Sequence, residues 1–91
     1  MAVYLVTYDL KAPGRNYQPV YDYLKRFIYC KKLESVWLVQ TSLSASTIRD
    51  NLERLIDAND VIFVVQITAS ADWAACRYGC GSWLNEPSRS F

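Results

Sequence analysis

The residues with the clearest potential for chemistry follow the first apolar segment, VYLVTYD, which ends at Asp9. A carboxylate at a strand end can bind a metal ion, act as an acid or base, or accept backbone N–H groups in the following turn. Lys11 and Arg15 flank the Pro-Gly break after it and are candidates for phosphate contacts. Tyr8 precedes Asp9 and is a candidate either for base stacking or for the core. The sequence alone leaves these alternatives open.

Other classes of site are poorly indicated by this sequence. It contains no histidine, so a serine or cysteine nucleophile would lack its usual general base. Cys30, Cys76 and Cys80 are an odd number and have no histidine to complete a zinc site, so we expect small buried or half-buried thiols. Asp9 alone is too little to hold Mg²⁺ or Mn²⁺ firmly. A dimer axis near the strand end would bring two copies of Asp9 together and supply a shared site.

Length and composition predict one domain spanning residues 1–91. The chain is 52% hydrophobic and 14% aromatic, which is enough to fill a core at this length. No apolar run reaches the roughly 18 residues that cross a bilayer, and the first residues lack the basic start of a signal peptide, so we expect a cytoplasmic protein with no membrane partner. The net charge is +1, but residues 1–32 carry +4 and the remainder −3.

The first half of the chain predicts a strand, a helix and a second extended segment. The residues before Asp9 alternate between two largely apolar faces, as in an interior strand. Asn16 is expected to cap a helix that ends near Lys31 and Lys32, whose charges complement the helix dipole. Residues at helical spacing form its apolar stripe: Val20, Leu24, Phe27 and Ile28. Leu33–Thr41 is the second extended segment.

The second half predicts another helix and strand. Ser44 or Ser46 is expected to cap a helix whose apolar stripe contains Ile48, Leu52, Leu55 and Ile56. The continuous apolar run Val61–Thr68 predicts a buried central strand. If the segment from Leu33 to Leu43 bends into a hairpin, the α/β (α+β) order is ferredoxin-like, an antiparallel sheet with two helices on one face.

An aromatic segment of about residues 70–86 follows this core of about residues 2–68. Trp73, Tyr78 and Trp83 are too large a cluster to leave exposed, so we expect a short helical segment over one sheet edge or across a dimer partner. The uncovered sheet face and its aromatic residues predict a homodimer.

The order of these pieces resembles the small Cas-two family of CRISPR spacer acquisition and the related VapD-like toxins. The matching stretches are VYLVTYDL, then ESVWLVQTSLSAST with IRDNLERLID, then VIFVVQIT. They cover roughly Ala2 to Thr68, about three quarters of the chain. The loop LKAPGRN and the segment with Trp73 and Trp83 depart from the family pattern.

The resemblance implies a ferredoxin-like homodimer with one of two functions. Some members are assigned metal-dependent nuclease activity through the aspartate at the end of the first strand, which corresponds to Asp9; others hold duplex DNA without catalysis. We therefore expect a nucleic-acid-associated binding or adaptor module that presents Lys11, Arg15 and Tyr8 to a nucleic acid or a partner protein. The alternative is a Mg²⁺- or Mn²⁺-dependent endonuclease acting on RNA or DNA, with Asp9 from both subunits.

Overall fold

The computed structural model describes residues 1–12, 14, 16–89 and 91, with the backbone alone at Ala71. In that part of the chain the elements are β1 (Ala2–Asp9), α1 (Gln18–Leu24), β2 (Ile28–Leu33), β3 (Val36–Thr41), α2 (Ala45–Glu53), β4 (Val61–Ile67), a 3₁₀ turn (Ser70–Asp72) and α3 (Cys80–Leu84). Its strands form one antiparallel sheet in the order β2-β3-β1-β4. The predicted α+β class is confirmed. No helix in these described ranges is long and apolar enough to cross a membrane.

One face of the sheet, called the helix face, packs against α1 and α2. Strand β1 lies in the interior of the sheet between β3 and β4, where Val6 is opposite Trp37 of β3 and Val64 of β4. Ser44 caps α2, because its Oγ accepts a hydrogen bond from the N–H of Thr47 at 3.2 Å. The buried residues form one cluster: Tyr4, Val6, Val20, Leu24, Trp37, Val39, Ile48 and Leu52. The predicted capping and apolar stripe of α2 are confirmed at Ser44, Ile48 and Leu52.

The opposite face, called the outer face, is partly covered by the C-terminal segment (residues 70–89). This segment packs on Val3, Leu38 and Ile67 and contributes Cys80, Leu84 and three half-buried aromatic residues, Trp73, Tyr78 and Trp83. Arg89 fastens its end, because its guanidinium donates to Gln40 Oε1 at 2.9 Å and lies 3.7 Å from the centre of the Trp83 ring. The segment therefore covers part of the face that the sequence predicted to be open.

A disulfide between Cys30 of β2 and Cys80 of α3 attaches the C-terminal segment to the sheet. The two Cα atoms lie 5.8 Å apart, within the usual range for such bonds. Cys76 is exposed and free. The prediction of three small buried or half-buried thiols is thus wrong: Cys30 and Cys80 form a disulfide, and the free thiol of Cys76 is exposed. An odd cysteine count did not exclude one pair, and β2 and α3 are distant in sequence.

The first helix is shorter than predicted. It ends at Leu24, and Ile28 begins β2, which pairs with β3 through Ile28↔Gln40 and Cys30↔Leu38. Lys31 and Lys32 therefore lie on a strand and cannot complement a helix dipole. Asn16 is not the cap residue of α1 (that position is Tyr17), although Asn16 Oδ1 accepts the N–H of Gln18. Strand pairing outweighed the helical spacing of Phe27 and Ile28.

The last strand is at the edge of the sheet, and the prediction of a buried central strand is wrong. In the described ranges β4 pairs only with β1. Its helix face, with Ile62 and Val64, packs against the core, while the outer face is 49% exposed at Val61 and 59% exposed at Phe63. A continuous apolar run predicts burial on both faces, but the C-terminal segment covers only the Ile67 end of this strand.

Candidate functional site

The loop after β1 is organised by Asp60, which lies just before β4. Its carboxylate accepts the N–H of Lys11 at 2.7 Å and that of Asp57 at 2.8 Å, and both oxygens accept from the Tyr17 hydroxyl. The Tyr17 oxygen in turn accepts the N–H of Ala12 at 3.1 Å. Asp60 therefore performs the role of turn former that the sequence assigned to Asp9 as one alternative. No local sequence pattern indicates this role of Asp60, because the two aspartates are 51 positions apart.

Asp9 ends β1 with an exposed carboxylate. Its side chain is 67% exposed and lies 3.6 Å from the ammonium of Lys11, itself 52% exposed. An ion pair this open to solvent contributes little to stability, so both charges remain accessible to a ligand. Arg15, the third charged residue of the prediction, lies outside the described residues. The structure thus brings Asp9 and Lys11 together at one strand end.

Tyr8 is held in place by its own hydrogen bonds. Its hydroxyl donates to the backbone oxygen of Glu34 at 3.4 Å and accepts the indole N–H of Trp37 at 3.1 Å. Burial raises the pKa of Tyr8, while the bond from Trp37 opposes this shift. The ring centre lies 6.3 Å from that of Tyr21. Tyr8 is therefore half-buried, with one side in the core and the other towards a surface depression.

That depression is the Tyr8 groove, which lies where the end of β1, α1 and the β2–β3 hairpin meet. It has a volume of about 360 Å³ and is lined by Tyr8, Gln18, Tyr21, Lys25, Lys31, Glu34 and Trp37. A second depression of about 290 Å³ shares Tyr8, Tyr21 and Glu34 with it and extends to Asp9. The sequence did not identify this groove, since it assigned Lys31 to a helix end.

A second surface feature lies beside Asp9 on the outer face. In the strand register Asp9 is opposite Val61 and Thr7 is opposite Phe63, so these residues share one face. Val61, Phe63 and Val65 are each at least 40% exposed, and we call them the outer patch. Large exposed apolar side chains on an edge strand are typical of an association surface.

In the described part of the chain, no group of three or more His, Cys, Asp or Glu side chains could hold a metal ion. No family model matches this sequence, and no solved structure matches this chain.

Proposed function

We propose that this protein is a ferredoxin-like homodimer that binds nucleic acid as an adaptor. The observation that carries the dimer is the outer patch, which leaves large apolar side chains exposed on an edge strand. Burying such surface contributes about 25 cal/mol for each Å² removed from water. The ferredoxin-like assignment is supported by the strand order β2-β3-β1-β4 with α1 and α2 on one face.

Support for nucleic acid comes from the family resemblance and from the charge distribution. Residues 1–32 carry a net charge of +4, and Lys11 presents its ammonium at the exposed end of β1. Phosphate contacts of this kind weaken steeply as salt rises. We also propose that this adaptor is a cytoplasmic protein. Because disulfides are rare in reducing compartments, the oxidation state of Cys30 and Cys80 in cells tests that location.

The dimer is tested by light scattering at micromolar concentration. We expect twice the chain mass of 10.5 kDa for the wild type and a monomer for Phe63→Asp, because the charge would be buried in the interface. Leu43→Asp is the matched control, since Leu43 is 36% exposed in the loop between β3 and α2, outside the strands that carry the outer patch. A monomeric wild type, or equal effects of both variants, contradicts the proposed interface.

The second candidate function is a metal-dependent nuclease acting on RNA or DNA. One observation favours it: Asp9 is exposed and lies opposite Val61, the first residue of the outer patch, so association there would bring two Asp9 carboxylates near each other. Paired carboxylates can hold Mg²⁺ or Mn²⁺ and activate water.

An Asp9→Asn variant separates the two functions. The adaptor predicts oligonucleotide binding in wild type and variant, with no cleavage in either when Mg²⁺ or Mn²⁺ is added. The nuclease predicts metal-dependent cleavage by the wild type that the variant loses. A Lys11→Gln variant should weaken binding and make it less salt-dependent in the adaptor.

A further inference from the structure

We propose that the Tyr8 groove binds one unpaired nucleotide of a single-stranded nucleic acid, with its phosphate at Lys25 and Lys31 and its base against Tyr21. This inference rests on the proposed nucleic-acid function and gives it a location and a ligand. It differs from the contacts predicted at Lys11 and Arg15, because it moves the binding surface from the strand end to the helix face of β2.

The shape of the groove fits one nucleotide. Its volume of about 360 Å³ is at the lower end of small-molecule sites, which span about 300–1,000 Å³. Trp37 forms a buried floor, while Tyr8 and Tyr21 are half-buried and expose part of their rings. Tyr8 is held by hydrogen bonds to the Glu34 backbone and to Trp37, so the ring beside Tyr21, on which the base would stack, is fixed before binding. Aromatic walls of this kind recognise unpaired bases by stacking.

The lysines of the groove are available for an anion. Among the described residues neither Lys25 nor Lys31 has a carboxylate within ion-pair distance. The Lys31 ammonium lies 5.7 Å from the centre of the Trp37 ring, so its side chain extends over the groove floor. Two lysines that line an aromatic depression match the phosphate and base of one nucleotide.

The acidic side of the groove sets the orientation of the ligand. Glu34 lines the groove, and the adjoining depression extends to Asp9. Carboxylates repel phosphate but accept hydrogen bonds from the amino and imino groups of a base. The phosphate is therefore expected at the lysines and the base edge towards Glu34. A base paired in a duplex cannot enter in this way, because its edge is already occupied.

Two double variants with the same loss of charge test the proposal. Lys25→Gln/Lys31→Gln removes both groove lysines, and Arg26→Gln/Lys32→Gln changes the neighbouring positions. Lys32 is on the other side of β2, where its Cγ lies 2.8 Å from the position that a Cβ would take on Gly79 of the C-terminal segment. Arg26 is not a lining residue of the groove. Circular dichroism and thermal melting establish that both proteins are folded.

Fluorescence anisotropy measures the binding of a labelled 12-nucleotide single strand at fixed salt. We expect on the order of tenfold weaker binding for the groove variant and less than about twofold for its control. In parallel, NMR records which wild-type amides shift when adenosine monophosphate is added. Shifts at Tyr8, Tyr21 and Lys31 are the expected result, and the shifts at the two tyrosines should be absent with inorganic phosphate alone.

The outcomes distinguish this proposal from the proposed function. Equal weakening by both double variants would overturn the groove site and leave the adaptor function standing. Monophosphate shifts in the groove without oligonucleotide binding would contradict the adaptor function and the single-stranded ligand, and would leave a mononucleotide site in the groove. No binding of either probe to the wild type would overturn both.

Discussion

The helix face and the outer face of the sheet are covered in different ways. On the helix face, α1 and α2 bury an apolar cluster through side chains at regular spacing. The outer face is covered by a segment whose regular structure in the described ranges is a 3₁₀ turn and a five-residue helix. That segment is attached instead by the Cys30–Cys80 disulfide and by Arg89. A five-residue helix buries little surface, so the disulfide and the hydrogen bond from Arg89 to Gln40 add to the apolar contacts of the segment with Val3, Leu38 and Ile67.

The polar atoms of the two faces differ in the same way. In the described part of the chain, three buried side-chain atoms have no hydrogen-bond partner, and all belong to the C-terminal segment: Trp73 Nε1, Tyr78 OH and Arg89 Nε. Burial also raises the pKa of Tyr78. Each buried group of this kind costs about 1–3 kcal/mol. The C-terminal segment is thus firmly attached to the sheet but contains these three destabilising polar atoms. We therefore expect it to open before the elements on the helix face do.

Removal of the C-terminal segment tests whether the fold needs this segment as part of its core. A chain ending at Thr68 exposes Val3 and Leu38 and loses Trp73, Trp83 and the disulfide. Loss of one buried aromatic residue costs about 3–5 kcal/mol, so we expect an unfolded or aggregating chain. Thermal melting by circular dichroism is the measurement. If the truncated protein melts like the full chain, the segment is a detachable recognition element and the outer face needs no cover.

Two leucine truncations compare the faces directly. Leu52→Ala on α2 should reduce the free energy of unfolding by about 2–5 kcal/mol, because its side chain is fully buried among regular elements. Leu84→Ala on α3 should cost less, since a short helix can move to fill part of the cavity. Urea unfolding gives both values. Equal losses in the free energy of unfolding would show that the C-terminal segment is packed as rigidly as the helices on the helix face.

Removal of the disulfide tests the attachment itself. Cys30→Ser/Cys80→Ser should lower the free energy of unfolding by about 2–4 kcal/mol, because the bond closes a loop over a sequence separation of 50. Cys76→Ser is the control and should change nothing, since this cysteine is free and exposed. Urea unfolding with and without reductant measures the effect. A control variant as unstable as the double variant would assign the effect to serine substitution in this segment.

The smallest expected effect concerns pH and the 3₁₀ turn at the start of the C-terminal segment. The Asp72 carboxylate accepts the Thr68 hydroxyl and the N–H groups of Thr68 and Ala69, which holds its pKa below 3.8. Because the pKa of Asp72 is lower in the folded state, its charged carboxylate stabilises the fold above about pH 3.8. This stabilisation is lost as the pH falls through the pKa of the folded state. Asp72→Asn should therefore lose less stability than the wild type on acidification. Identical acid profiles would contradict this role.

Much of the helix face could be predicted from the sequence, because its signals are local. Alternation before Asp9 predicted β1, and the spacing of Ile48 and Leu52 after Ser44 predicted α2. The outer face could not be predicted in this way. Its disulfide joins residues 50 positions apart, and the exposure of Phe63 depends on where the C-terminal segment ends. No window of neighbouring residues contains that information.

The candidate site divides along the same line. The position of Asp9 at the end of β1 followed from the sequence, whereas its exposure and its ion pair with Lys11 are seen only in the structure. The role of Asp60 and the Tyr8 groove did not, since both depend on contacts between distant elements. Lys31 shows the cause most clearly: assigned to a helix, it would lie far from Trp37, whereas on β2 it extends over that ring.

The position of Cys80 after β4 in the sequence also determines when the fold can be completed. During synthesis β4 ends at Ile67, before any of the residues that cover the outer face have emerged. The sheet can therefore pair while Val3 and Leu38 are still open to solvent and the edge of β4 is free. Exposed apolar surface and an unpaired edge are the features that let nascent chains associate wrongly. The interval between the synthesis of Ile67 and the closure of Cys30 with Cys80 is thus the period of greatest aggregation risk for this chain.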